Sequence, residues 1–283
     1  MQGHTGKELY AQYENETAAI NQFATAHMGL ATGQTALKVD QYVIACVPYR
    51  LSLKGATLVA VFSRDELVFF QRYNGALAGL TLIFQPSGSA QPLKIFARCT
   101  IKSLAPMKGK DSIGLIILDW KPCPPDLEAI VGDFFLLLDR LKVEYEDFRD
   151  KRIAMNAEVA KAMGFNNYAT IRYEGQETKA ALFALASNKL EFLVPIQAPA
   201  MEVGKEAQVK LFFRAYQFQV AATVAESAKL PNGAQKLAVT IGFSPELVDL
   251  IEHYRFSERF LPRSVSAAQA PGKAADVAAG GQG

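Results

Sequence analysis

The chain has 283 residues and half of them are hydrophobic, which allows two small domains with their own cores and excludes disorder throughout. The formal net charge is +2 and no concentrated basic face is visible, so nucleic acid is excluded as a main partner. The three cysteines, Cys46, Cys99 and Cys123, show no CxxC spacing, so neither a disulfide framework nor a metal site is expected.

No apolar run reaches the roughly 20 residues that a helix needs to cross a bilayer. The N-terminal residues lack the apolar core of a signal peptide. We therefore expect a cytoplasmic protein without membrane insertion.

Residues 1–40 are polar and alanine-rich with a weak helical spacing, which predicts one N-terminal helix and a loop at 29–33. From Tyr42 onward, short runs of Val, Ile, Leu and Phe alternate with turn residues, as is typical of antiparallel strands. The strands predicted in this half are 42–47, 57–62, 66–70, 80–84, 93–101 and 113–118. Pro125 and Asp126 then open a predicted helix over 127–143, because proline and acids suit a first turn.

The second half follows the same order. Its predicted strands are 168–173, 179–186, 190–195, 209–213, 218–224 and 237–243. Pro245 and Glu246 open a last helix that ends near Phe256. The chain after Pro262 is rich in Ser, Ala, Gly and Pro, which predicts a disordered tail.

The two halves resemble each other at several points along the chain. The matching segments are 60–67 with 184–190, 79–84 with 204–212, 97–101 with 220–224, and 125–127 with 245–247. Their constant order predicts a duplicated unit of strands and helix. We place the units at 41–145 and 146–262, after an N-terminal helical segment, 1–40, and before the tail, 263–283.

The second unit resembles the PilZ domain family. A basic segment, 148–153, lies where that family has an RxxxR motif, and 185–190 lies where it has a [D/N]xSxxG loop between two strands. The first unit is similar to a diverged copy of the same domain. The resemblance implies a mostly β fold of two tandem six-stranded antiparallel barrels, each followed by a helix, and cyclic di-GMP as the ligand.

The resemblance also implies the ligand-binding residues, Arg149, Arg152 and Ser187. Arginine suits this ligand because its planar fork meets the paired acceptors of a phosphate or of a guanine edge. The motifs are incomplete: the arginines have RxxR spacing, and Leu185 and Leu190 replace the acceptor and the glycine. A leucine at the acceptor position removes a hydrogen bond to the ligand, and a leucine at the glycine position obstructs the close approach of the backbone.

The same residues also have plainer interpretations. The segment from Arg149 to Arg152 is equally typical of a solvated linker, and Ser187 of a hairpin turn. In the first unit, Ser63 aligns with Ser187 but only Arg50 lies near it, so no ligand is expected there.

Enzyme motifs are not found. The histidines, His4, His27 and His253, have no metal-ligand spacing, and Cys123 has no histidine near it in sequence. We therefore expect a protein that is not an enzyme and needs no cofactor.

The resulting hypothesis is a cyclic di-GMP effector, or a descendant of one, that relays the signal to an unidentified protein partner in motility or envelope machinery. Ligand capture would order a flexible linker at 144–153. The alternatives are a ligand-independent scaffold with PilZ-like barrels, and an unrelated double barrel with similar strand spacing.

Overall fold

The computed structural model describes residues 6–85 and 91–260; the predicted tail, 263–283, and His4 lie outside these ranges. The helices of the first unit are α1 (Gly6–Tyr13), α2 (Gln22–Met28), α3 (Arg64–Gln71) and α4 (Pro125–Asp147). Its strands are β1 (Ala18–Ala19), β2 (Ala36–Val39), β3 (Tyr42–Ala45), β4 (Val47–Leu51), β5 (Gly55–Val61), β6 (Leu77–Phe84), β7 (Leu93–Met107) and β8 (Lys110–Trp120).

The second unit begins directly after α4. Its helices are α5 (Ala157–Met163) and α6 (Pro245–Phe260). Its strands are β9 (Ile153–Ala154), β10 (Phe165–Tyr173), β11 (Gln176–Leu185), β12 (Lys189–Val194), β13 (Glu206–Phe213), β14 (Gln217–Lys229) and β15 (Gln235–Ile241).

The second unit is a closed barrel. Its strands pair in the order β10-β13-β14-β15-β12-β11, and β11 also pairs with β10, which closes the ring of six. In β12, for example, side chains alternate between the core and the outer surface, as a sheet with one buried face requires. The short strand β9 adds to β11 from outside the ring.

The first unit has the same connectivity. Its sheet runs β1-β4-β5-β8-β7-β6-β2-β3, and the strands β3 and β4 are separated along the chain by Cys46 alone. The segment Tyr42–Leu51 therefore pairs with β2 through its first half and with β5 through its second, which joins the two ends of the sheet. The predicted fold class, mostly β with tandem barrels and a helix after each, is confirmed.

The duplication extends to the elements before each barrel. A two-residue strand, β1 or β9, adds to the second barrel strand, and a short helix follows. Each short helix is capped by an asparagine, Asn21 or Asn156, and ends at a left-handed glycine, Gly29 or Gly164. Glycine suits this position because side chains with a Cβ rarely adopt a positive φ.

The sequence prediction is wrong at three places. Residues 66–70 are part of helix α3 rather than a strand, because Ser63 and Glu66 form a reciprocal capping box that starts a helix. Within residues 6–40 the structure has two α-helices, α1 and α2, and the strands β1 and β2, instead of one helix. The matched segments 60–67 and 184–190 follow different barrel strands, the third and the second, so that part of the repeat alignment is also wrong.

The two units meet through their helices. Helix α4 contacts α1, α2 and α6, and its buried side chains include Leu127, Phe134 and Phe135. Phe23 of α2 lies 5.9 Å from Phe134 and 5.6 Å from Tyr216 of the second barrel, measured between ring centroids. This packing joins the N-terminal segment to both units.

Among the helices within the described ranges, none combines the length and apolar character that crossing a bilayer requires.

Candidate functional site

The hairpin between β11 and β12 lies against the end of helix α4. The Ser187 hydroxyl donates to the carbonyl oxygen of Tyr145 at 2.7 Å, and Ser187 is completely buried. The amide of Arg149 bonds to the Glu146 carbonyl and leaves the Tyr145 carbonyl to this hydroxyl. Ser187 therefore satisfies one of the carbonyl groups that the end of every helix leaves without a helical partner.

The neighbouring Asn188 holds the linker that follows α4. Its side-chain oxygen accepts from the Asp150 amide at 3.1 Å, and its side-chain nitrogen donates to the Asp150 carboxylate at 3.1 Å. Arg255 of α6 lies over the Phe148 ring from the other side, 4.6 Å from its centroid. The linker is thus packed against the β11–β12 hairpin and α6, where a flexible segment at 144–153 was expected from the sequence.

Arg152, the last residue before β9, lies over the outer face of the barrel. Its Nε donates to Oε1 of Glu191 at 3.0 Å, and its Nη2 donates to Oε2 at 3.3 Å. The Glu191 hydrogen bond is the main reason that the pKa of Arg152 is raised. Both carboxylate oxygens of Glu191 therefore accept hydrogen bonds from the guanidinium. Arginine binds phosphates and guanine edges with the same paired geometry.

An aromatic ring completes this part of the surface. A β-bulge between Leu182 and Ala184 interrupts the β11–β12 register at Phe183, which is half-buried. Two cations lie near its ring centroid: Arg152 at 5.8 Å and Lys236 of β15 at 5.5 Å. We call the group Arg152, Phe183, Glu191 and Lys236 the Arg152 face.

The three predicted site residues are separated by the structure. Arg149 pairs with Glu146 of α4 at 3.4 Å, and Ser187 is buried beneath the linker. Of the three, the structure places Arg152 on the Arg152 face. Leu185 and Leu190, at the incomplete motif positions, belong to the barrel core.

Phe183, Glu191 and Lys236 were not predicted from the sequence. A usable signal was present in β12, where Glu191 lies between the core residues Leu190 and Phe192 and therefore points outward. Phe183 was not predictable by alternation, since the bulge shifts the alternation at that position.

The first unit has an equivalent hairpin with different chemistry. The amide of Ser52 bonds to the Gly55 carbonyl, just as the amide of Ala186 bonds to the Lys189 carbonyl. The two hairpins have equal length, so the residue equivalent to Ser187 is the buried Leu53 and not Ser63. Ser63 instead caps helix α3.

A buried polar cluster lies where α2, α6 and the β13–β14 turn meet. The Tyr216 hydroxyl donates to Asp249 at 3.0 Å and lies 3.2 Å from Nε2 of His27. Burial favours the protonated form of Asp249, but hydrogen bonds from His27 and Tyr216 and the nearby His253 outweigh it, so its pKa is lowered. Burial and the Asp249 charge raise the pKa of Tyr216.

The cysteines carry no sign of activation. Burial is the largest cause that raises the pKa of Cys123 to about 12, and the charge of Glu128 adds to it. Burial likewise raises the pKa of Cys46 to about 12 and that of Cys99 to about 11. A nucleophilic cysteine needs the opposite shift. Within the described ranges, no cluster of three or more His, Cys, Asp or Glu side chains is arranged to hold a metal ion.

A polar cleft of about 830 Å³ lies elsewhere on the second barrel. Its wall includes Arg172, Gln208, Thr223 and Thr240, on the outer surface of β10, β13, β14 and β15. It lies on a different stretch of the outer surface from Arg152 and provides a comparison site for experiments.

Residues 5–137 match the family model of the PilZN3 domain. The predicted kinship with PilZ proteins is confirmed there. No curated protein matches the chain by sequence.

Several solved structures are similar to the chain. The Borreliella burgdorferi PlzA protein in complex with c-di-GMP is 16% identical with a TM-score of 0.46; the match covers 88% of this chain and 97% of PlzA. YcgR from Escherichia coli in complex with c-di-GMP is 10% identical with a TM-score of 0.29, covering 87% of this chain and 94% of YcgR. The Bacillus subtilis inhibitor of motility, MotI/DgrA, is 12% identical with a TM-score of 0.29, covering 82% and 99%.

Proposed function

We propose that the protein is a cytoplasmic cyclic di-GMP effector whose second barrel captures the nucleotide on the Arg152 face. One observation carries the proposal: both carboxylate oxygens of Glu191 hold the Arg152 guanidinium on the outer side of the barrel, 5.8 Å from the centroid of the Phe183 ring. A guanine base offers N7 and O6 as the same kind of pair. The PilZN3 match of the first unit supports the same assignment.

The ligand chemistry fits the other members of this face. Cyclic di-GMP has two phosphates and two flat bases, and Phe183 offers a ring on which a base can stack. Lys236 supplies a second positive charge 5.5 Å from that ring. Arg149 lies on the same linker and its side chain is exposed. Because it pairs with Glu146, a bound phosphate would need to draw it away from that carboxylate.

Ser187 serves this function indirectly. Its hydroxyl joins the hairpin to the end of α4, and Asn188 joins the hairpin to the linker. A nucleotide that repositions Arg152 therefore pulls on a segment continuous with α4, which contacts both α1 and α6. We propose that this movement carries the signal to a protein partner in motility or envelope machinery.

The test is a calorimetric titration of cyclic di-GMP into the full chain, its Arg152→Ala variant and an Arg172→Ala control. Arg172 is an exposed arginine on the same barrel, so its removal changes the net charge equally. We expect saturable binding to the wild type and the control, and at least tenfold weaker binding to Arg152→Ala. Equal binding by all three proteins refutes the Arg152 face as the site.

A second candidate function is a ligand-independent protein-interaction scaffold. The first barrel favours this function, because two large apolar side chains are exposed on its paired strands β6 and β7. Leu77 is 74% exposed and Phe96 is 57% exposed. An absence of cyclic di-GMP binding by the wild type at saturating nucleotide supports the scaffold instead.

A further inference from the structure

We propose that Glu191 is an internal competitor for the nucleotide and sets the affinity of the Arg152 face, an inference that rests on the proposed function. Its carboxylate accepts two hydrogen bonds from Arg152. A phosphate or a guanine edge must displace it to use the same edge of the guanidinium.

The geometry makes the two acceptors mutually exclusive. Glu191 uses both carboxylate oxygens, one on Nε and one on Nη2 of Arg152. These two N–H groups point in parallel from one edge of the guanidinium, and a bidentate ligand needs such a parallel pair. A ligand that meets this edge therefore replaces Glu191 rather than joining it.

The Glu191 side chain is held more firmly than the Arg152 side chain. Glu191 lies in the middle of β12. Its register partners are Ala184 of β11 on one side and Ala238 of β15 on the other. The Glu191 side chain is 14% exposed, whereas that of Arg152 is 50% exposed. The sheet thus holds the carboxylate in place, and the linker residue is the one that moves when a ligand arrives.

Charge strengthens the effect. The negative charge of Glu191 cancels that of Arg152 and lowers the attraction of the face for an anion. A dinucleotide with two phosphates and two guanine edges can make further contacts that offset the loss of the Arg152–Glu191 bonds. A single carboxylate or phosphate only replaces the bonds that Glu191 made.

The matched test compares Glu191→Gln with Glu226→Gln. Both substitutions remove one negative charge from neighbouring outer positions of the same barrel, but Glu226 pairs with Lys189 instead of Arg152. We expect Glu191→Gln to bind cyclic di-GMP about three- to tenfold more tightly than the wild type, since it removes the competing carboxylate. Glu226→Gln should change the affinity less than about twofold.

A shorter acid tests the same idea without the change in charge. Glu191→Asp moves the carboxylate away from Arg152, so we expect a gain in affinity between those of the wild type and Glu191→Gln. Equal affinities for Glu191→Gln, Glu191→Asp and Glu226→Gln overturn the proposal, provided that each variant melts cooperatively.

The outcomes separate this inference from the proposed function. If the wild type binds through Arg152 and Glu191→Gln gains nothing, only the competitor is refuted. If neither the wild type nor Glu191→Gln binds cyclic di-GMP, the proposed function fails and the competitor fails with it.

Discussion

The Ser187 hydroxyl donates to the Tyr145 carbonyl at 2.7 Å, and this bond joins the second barrel to the helix that precedes it. In the motif that the sequence resembles, this serine would serve the ligand. Here its position beneath the linker gives it a structural task. The bond links the hairpin to the last turn of α4, and Asn188 links the same hairpin to the linker.

Replacing Ser187 by alanine should therefore lower stability more than it lowers ligand binding. The change leaves the Tyr145 carbonyl without its donor, at a cost of about 1–2 kcal/mol in the free energy of unfolding. Urea denaturation followed by circular dichroism measures it, with the exposed Ser112→Ala on β8 as a control. Unchanged stability together with abolished cyclic di-GMP binding would show that Ser187 contacts the ligand directly.

Replacing Asn188 by alanine should release the linker. The substitution removes both hydrogen bonds to Asp150, so the amides of residues 149–152 should exchange with solvent about tenfold faster. Hydrogen exchange read by mass spectrometry measures this, with Asn232→Ala in a remote turn as the control. Exchange at wild-type rates in this peptide would mean that other contacts hold the linker.

The carboxylate of Asp249 should make the fold sensitive to acid. Its pKa lies below the ordinary 3.8, so its stabilising contribution is present above that value and is lost as the pH falls through its lower folded-state pKa. Asp249→Asn should be less stable than the wild type at neutral pH, by about 1–3 kcal/mol, and should lose less further stability on acidification. Thermal melts between pH 7 and pH 3 measure both effects.

The exposed acid Asp133 on α4 gives the control for this experiment. Asp133→Asn should follow the wild-type pH profile. Parallel profiles for the wild type and Asp249→Asn would contradict an ionised Asp249 in the folded chain.

Gly55 at the start of β5 should tolerate no side chain. A Cβ at this position would overlap the backbone carbonyl of Leu118 on the paired strand β8, and backbone cannot yield as a flexible side chain does. Gly55→Ala should lower the free energy of unfolding by about 1–3 kcal/mol. Gly33→Ala is the control, since a Cβ there meets no atom within 4 Å. Equal denaturation midpoints for the two variants would refute the close approach.

The strands and the terminal helices were predictable because their side chains follow simple periods. Alternation located β6, β7 and β14, and the prolines and acids at Pro125 and Pro245 located the starts of α4 and α6. Helix α3 was not predictable from its apolar residues, since Val68, Phe69 and Phe70 favour a strand. The capping box of Ser63 and Glu66 outweighs that preference.

The candidate site was predictable only in part. Arg152 is recognisable from the basic linker, but its partner Glu191 is 39 residues away and meets it only when the barrel closes. The structural role of Ser187 was equally hidden, because Tyr145 precedes it by 42 residues. Contacts of this kind depend on tertiary packing and leave no local pattern in the sequence.

A crystal structure of the full chain with saturating cyclic di-GMP tests the central claim most directly. We predict nucleotide density on the outer face of β11 and β12, with a phosphate or guanine edge on Arg152, a base over Phe183, and Glu191 no longer bonded to Arg152. Nucleotide in the cleft beside Arg172 and Thr240, with the Arg152–Glu191 pair intact, would contradict it.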